Sequence, residues 1–273
     1  MASGYGAANQ GAAKVPPQPR QSLNKRSGSM IAWPYPRYIA HRGAGKLAPE
    51  NTLAAMRAGY ALGYRMVEFD VKLSGDGVPF LLHDDTLDRT TSGHGRADAL
   101  TWAELSKLDA GRWHSPAFAG EPLPMLEQVA RWAIANDVAC NIEIKPVPGC
   151  ERATGAAVAL DALALWRGAR VQPLLSSFSE EALAAARGAV PELPRAMLYE
   201  HIPPDWEDRL ARLECVALDT DYRELDAAIV AAAHEAGYKV LTYTANEPAV
   251  VSRLAGWGVD GIITDAIDIV RPE

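Results

Sequence analysis

Met66-Val67-Glu68-Phe69-Asp70-Val71-Lys72-Leu73 is a stretch in which charged residues alternate with β-branched, aromatic and aliphatic ones. Residues of that kind favour a strand, and the two-residue period of a strand sends Glu68 and Asp70 to one side and Val67, Phe69 and Val71 to the other. A second stretch, Asn141-Ile142-Glu143-Ile144-Lys145, repeats the device, with Glu143 and Lys145 on one side and Ile142 and Ile144 on the other. Strands buried in a parallel sheet normally read as continuous apolar runs, so charges at such positions need a reason.

Around these two stretches the chain alternates short apolar runs with Ala- and Leu-rich segments of helical period, the pattern of a parallel sheet covered by helices. The expected strands are Tyr38 to His41, Met66 to Leu73, Ala139 to Lys145, Val171 to Phe178, Arg195 to Tyr199, Cys215 to Asp219, Lys239 to Thr244 and Gly261 to Thr264. The expected helices are Glu50 to Leu62, Leu126 to Asn136, Glu151 to Trp166, Glu180 to Arg187, Asp205 to Leu213, Glu224 to Ala236 and Pro248 to Gly258. Ser179 and Asn246 stand where helix-starting residues belong. Eight strand-and-helix units in roughly 240 residues fit an α/β (β/α)8 barrel. An open doubly wound sheet is the runner-up, and against it no Gly-rich phosphate-binding fingerprint follows the first strand. The unit after strand 2 is overlong. Val78 to Leu82 reads as an extra strand, and Thr86 to Pro122 is mostly turn-like, with one short helical stretch at Trp102 to Leu108. This is a small insertion over the barrel mouth, where long loops usually shape a substrate site.

Composition narrows the functional classes. The chain has 273 residues and a formal charge of −7, which argues against a surface built to collect nucleic-acid phosphates. There is no run of about 18 apolar residues of the kind a membrane-spanning helix needs. Cys140, Cys150 and Cys215 lack metal-ligand or disulfide-framework spacing, and an odd set of thiols suits a reducing cytoplasm. Residues 1–29 carry no acidic residue and no apolar periodicity and are expected to be a disordered N-terminal extension, leaving 30–273 as the barrel domain. Removing Lys14, Arg20, Lys25 and Arg26 from a net charge of −7 leaves an acidic body of −11. Met30 is read as the natural start, a point that the intact mass of the native protein would test.

Three carboxylates converging on the mouth, Glu68, Asp70 and Glu143, would resist ionising together unless a cation sat between them, and a hard divalent ion with oxygen ligands is the economical explanation. His41 closes strand 1 and His83 the extra strand, so two imidazoles feed the same mouth as a candidate general base and general acid. Arg42 offers a planar fork suited to phosphate oxygens and Lys145 a compact charge. Together these groups describe phosphoryl transfer.

Through His41-Arg42-Gly43, Pro49-Glu50-Asn51-Thr52, Glu68-Phe69-Asp70-Val71, His83-Asp84 and Glu143-Ile144-Lys145, in that order and spacing, the sequence resembles the glycerophosphodiester phosphodiesterases, in particular their compact cytoplasmic bacterial type. The resemblance runs from about Tyr38 to about Asp268. It implies a TIM barrel, with Glu68, Asp70 and Glu143 as metal ligands, His41 and His83 as the acid and base, and Arg42 and Lys145 holding phosphate. It implies a place in glycerol and lipid metabolism, with a small glycerophosphodiester as substrate and sn-glycerol 3-phosphate and an alcohol such as choline or ethanolamine as products. Attack by the glycerol 2-hydroxyl, through a cyclic phosphate, is the route the family implies. Mg2+ is the first choice of metal, with Ca2+ open. Neither nucleic acid nor stable membrane association is expected. A phospholipase-like enzyme acting on lipid or inositol diesters, and a non-catalytic phosphodiester-binding barrel, are the competing readings.

The sequence departs from the family pattern at Tyr243-Thr244-Ala245-Asn246, where many relatives have Trp-Thr-Val-Asn, and at Thr264-Asp265-Ala266-Ile267-Asp268, which lacks a proline after the Thr-Asp. Tyr243 is assigned to the glycerol side of the substrate, with packing the equal alternative. Glu50 is read as a helix cap or a support for the site, and Asn51 as structural. Asp219, Asp221 and Asp265 are read as helix caps or solvated charges, Trp257 as reaching the mouth or packing, and His94, His114, His201 and His234 as without chemistry.

Overall fold

The computed structural model describes residues 33–272. The expectation for residues 1–29, and Met30 as a start, lie outside the described residues. Among the latter, nine strands form one sheet: β1 (Tyr38–Ala40), β2 (Met66–Leu73), β3 (Pro79–Leu81), β4 (Ala139–Ile144), β5 (Leu174–Ser177), β6 (Arg195–Tyr199), β7 (Ala217–Asp221), β8 (Lys239–Tyr243) and β9 (Gly261–Thr264). All but β3 are parallel, and the pairing of β1 with both β9 and β2 closes them into an eight-stranded barrel. The helices are α1 (Leu53–Ala61), α2 (Trp102–Leu105), α3 (Leu126–Ala135), α4 (Glu151–Leu165), α5 (Glu180–Ala189), α6 (Trp206–Leu213), α7 (Ala227–Glu235) and α8 (Pro248–Gly256). The lower barrel is plugged by Ile39, Met66, Leu174, Ala196, Leu241 and Ile263, all buried. Val67, Phe69, Ile142 and Ile144 face the other way and pack under the helices, as the period of two predicts.

β3 pairs antiparallel with β2, Val71 opposite Leu81, and begins the insertion. Phe80, Leu82, Leu87, Leu105 and Leu123 give this segment a small core of its own. It is therefore a packed cap rather than a loose loop. Its Glu121 Oε1 accepts a hydrogen bond at 2.9 Å from the Ala54 amide, one of the unpaired donors in the first turn of α1.

Several boundaries move for identifiable reasons. α1 begins at Leu53, not Glu50, because the Thr52 hydroxyl caps it by accepting from the Ala55 amide. β5 starts after Pro173, whose missing amide proton cannot serve the ladder. β7 starts two residues late: Glu214 takes a left-handed conformation (φ 53°) at the end of α6, and the Cys215 amide is spent on the Leu210 carbonyl. That shift puts Asp219 in mid-strand. Ser179 caps α5 as expected, but Asn246 does not cap α8. Its Oδ1 accepts from the Asp265 amide and the Thr264 hydroxyl, fixing the end of β9.

Candidate active site

The carboxylates gather because of register. Asp70 lies opposite Glu143 and Glu68 opposite Asn141 across the β2–β4 pair, so the strand period stacks the acids on the inner face. Glu68, Asp70 and Glu143 each offer an oxygen, all within 4.8 Å of one another. Glu68 Oε1 is buried with no partner, and its other oxygen accepts from the Arg42 amide at 3.0 Å. Asn51 orients Asp70 from two sides: its Nδ2 donates to Oδ2 at 2.8 Å and its Oδ1 accepts from the Asp70 amide at 3.0 Å. A hard oxygen donor set with an unsatisfied lone pair is what a divalent cation fits, and this buried triad could hold one.

The segment after β1 is bent to serve this face. Residues His41–Gly43 form a tight 3-10 turn in which Arg42 adopts φ 50°, and Asn51 adopts φ 59°. Non-glycine residues in left-handed conformations are costly and cluster where a site demands them. Gly43 (φ 93°) could bear no side chain, since a Cβ would stand 2.9 Å from the Met56 amide nitrogen. Arg42 donates to Glu50 at 2.7 Å, and its Nε, buried without a hydrogen bond, lies 3.5 Å from Asp70. Glu50 is thus neither a cap nor a bystander, because it also takes both ends of the Arg89 guanidinium at 2.8 Å. Lys145 donates to Glu143 at 2.8 Å and lies 3.7 Å from Asp70.

Both histidines are held by a carboxylate at Nδ1: His41 by Asp265 at 2.6 Å, His83 by Asp84 at 2.7 Å. That arrangement fixes the ring and leaves Nε2 for proton transfer. His41 Nε2 faces Glu68 at 3.8 Å. Burial works against a charge on His41, but the Asp265 hydrogen bond and the Glu68 charge outweigh it and hold its pKa above the ordinary value. His83 goes the other way, lowered by burial and by the charges of Arg42 and Lys145 against the pull of Asp70.

A cavity of about 240 Å³ connects these groups, lined by His41, Glu68, His83, Glu143 and Lys145 among others. Residues 41–269 match the model of the glycerophosphoryl diester phosphodiesterase family. The chain belongs to that family. It is 34% identical over 242 residues to a glycerophosphodiester phosphodiesterase of Caldanaerobacter subterraneus, covering 85% of this chain and 97% of that one. It is 37% identical to a phosphodiesterase of Oleispira antarctica solved in complex with the product sn-glycerol-3-phosphate, with a TM-score of 0.80 over 86% of this chain and 95% of that one. A glycerophosphodiester phosphodiesterase of Agrobacterium tumefaciens is 30% identical, with a TM-score of 0.74 over 86% of this chain and 98% of that one.

In this phosphodiesterase all eight residues singled out from sequence line the cavity or adjoin it. Tyr243 borders it with its ring, edge-on to Phe178, while its hydroxyl is spent on the Tyr199 carbonyl at 2.9 Å. Two expectations fail. Asp265 is the partner of His41 rather than a cap or a solvated charge. Asp219 is fully buried in the cavity wall. Asp221 does cap, accepting from the Arg223 amide, and Trp257 packs against the barrel beside α8. Sequence reading also passed over Arg89, Asn141 and Ser176. Asp84, adjacent to His83 in sequence, is also its Nδ1 partner.

Burial, then the charge of Asp70, raises the carboxyl of Glu68 to about 8 and that of Glu143 to about 7. Without a divalent cation these groups keep protons that the unfolded chain releases near pH ~4. The folded state then binds more protons than the unfolded one between about pH 5 and 8, so stability falls as pH rises through that window. Asp70 is held low and is ionised in both states there. In EDTA, Tm is expected to drop by a few degrees from about pH 5.5 to about pH 8. A Tm that rises over the same interval in calorimetry would contradict the crowded-acid reading.

Proposed function

We propose that this member of the family hydrolyses small glycerophosphodiesters to sn-glycerol 3-phosphate and an alcohol, using Glu68, Asp70 and Glu143 as ligands of a divalent metal and His41 and His83 as general base and acid. The observation that carries the reading is the convergence of a buried carboxylate triad and two carboxylate-anchored imidazoles on one cavity. It is supported by the sn-glycerol-3-phosphate complex of the Oleispira antarctica relative.

Arg42 and Lys145 neutralise phosphate oxygens, one with a planar fork and one with a point charge. One imidazole Nε2 removes the proton of the glycerol 2-hydroxyl as its oxygen bonds to phosphorus, and in a second step that of a water whose oxygen displaces this one and opens the cyclic phosphate. The other Nε2 delivers a proton to the departing alkoxide as its bond to phosphorus breaks. A bound divalent ion supplies Lewis-acid stabilisation of the charge that builds on phosphate there. Mg2+ is the ion we assign, and Ca2+ takes the same carboxylate oxygens. Arg89, brought in by the insertion, ties Glu50 and Asp84 together and so braces Arg42 and His83 at once. Tyr243 contributes its ring to the glycerol side.

The insertion keeps most of its apolar side chains in its own core, and Trp102 packs on Phe80, which supports a water-soluble substrate rather than a membrane lipid. None of the described helices is long and apolar enough to cross a membrane. Free thiols at Cys140, Cys150 and Cys215 support a reducing, cytoplasmic setting. The test is phosphorus NMR of glycerophosphocholine digests. The expected monoester is sn-glycerol 3-phosphate alone, and phosphocholine as the product would mean that the opposite ester bond is cut.

A further inference from the structure

Asp219 has 0% exposure, and neither of its carboxyl oxygens has a hydrogen-bond partner. Its neighbours across the sheet are apolar, Leu198 on β6 and Leu241 on β8. Burial, and then the charge of Glu143, hold its carboxyl well above the usual carboxylate range, against a smaller opposing pull from the Thr220 amide. Two further buried acceptors without partners, Ser176 Oγ and Asn141 Oδ1, line the same cavity. Nearly all buried polar groups in folded proteins are satisfied, so three residues with unsatisfied acceptors lining one cavity, besides Glu68, point to something that enters the cavity and donates. Asp219 stands outside the cluster of carboxylates that could share a metal ion.

Resting on the phosphodiesterase reading, we propose that Asp219, with Ser176 and Asn141, forms a hydroxyl-recognising wall that accepts hydrogen bonds from the free hydroxyls of the glycerol arm and thereby selects deacylated glycerol diesters. Charge sorts the two ends of the substrate. The phosphate anion belongs with Arg42 and Lys145, and an acid away from those cations suits neutral donors instead. A quaternary ammonium has no N–H to give Ser176 or Asn141, and the ring of Phe178 already has the Lys145 ammonium 5.4 Å from its centroid. An acylated hydroxyl would bring no proton to the wall and would leave its acceptors unpaired, the kind of mismatch that discriminates strongly.

The experiment compares kcat/KM of the wild type, Asp219→Asn and Ser176→Ala on glycerophosphocholine, glycerophosphoglycerol and bis(4-nitrophenyl) phosphate, which has no hydroxyl. Asp219→Asn is expected to lose about 10- to 100-fold on both glycerol diesters and less than about twofold on the aryl diester, with Ser176→Ala showing a smaller loss of the same selectivity. Inhibition by sn-glycerol 3-phosphate should weaken in step while inhibition by inorganic phosphate stays, a readout independent of turnover. Parallel loss on all three diesters, no loss on any, or loss confined to glycerophosphocholine would each overturn the wall. A wild type that cleaves the aryl diester but neither glycerol diester would instead overturn the proposed function, and the wall with it.

Discussion

Replacing His41 or His83 with alanine is expected to lower kcat on glycerophosphocholine by about 10²- to 10⁴-fold each, the range for a positioned general acid or base. KM should change little if Arg42 and Lys145, rather than the imidazoles, hold the phosphate. The double variant should be scarcely worse than either single one, since the two protons move in one bond exchange. Neither ring belongs to the apolar core. His41 is partly exposed and bonded to Asp265, and His83 is partly exposed and bonded to its neighbour Asp84. Tm is therefore expected to hold within a few degrees, which separates chemistry from unfolding. Steady-state kinetics with matched melting curves decide the matter. Normal turnover in both single variants would remove the histidines from the mechanism.

A second large effect is expected at the triad. Glu143→Gln keeps the shape of the side chain but removes one charge from three carboxylates whose oxygens lie within 4.8 Å. Losing one ligand charge should cost about 10²-fold or more in kcat/KM at fixed metal concentration, in keeping with the several kcal/mol that Lewis-acid stabilisation supplies. Above about pH 7, where Glu143 is charged, the same substitution relieves repulsion with Asp70 but gives up the ion pair with Lys145, so the metal-free fold should keep its Tm within a few degrees. Weaker metal binding by titration calorimetry combined with a Tm kept within a few degrees in EDTA is a pair of results that a merely structural glutamate would not give. Unaltered metal affinity would count against Glu143 as a ligand.

The parts of this site that sequence disclosed are those governed by local rules. The period of two in Met66 to Leu73 and in Asn141 to Lys145 placed the acids and Lys145, and the ends of β1 and β3 placed the histidines at the mouth. What escaped depends on long-range geometry. Asp265 reaches His41 from 224 residues away, and nothing near Thr264 marks it as different from a cap. Arg89 is one basic residue in a turn-rich insertion until that insertion packs and aims it at Glu50. Asp219 was misread because Glu214 ends α6 in a left-handed turn and consumes the Cys215 amide, which moved β7 by two residues and carried an apparent strand-end acid into the wall. Asn246 has the composition of a helix cap, yet its side chain is drawn to the end of β9 by the closure of the barrel.

The most direct measurement is release of sn-glycerol 3-phosphate from glycerophosphocholine by the purified protein in EDTA, followed by return of Mg2+ or Ca2+. Activity that disappears on chelation and returns with one ion is the predicted result. Full activity in EDTA, or none with either ion while the protein remains folded, would contradict a triad that works through a bound metal.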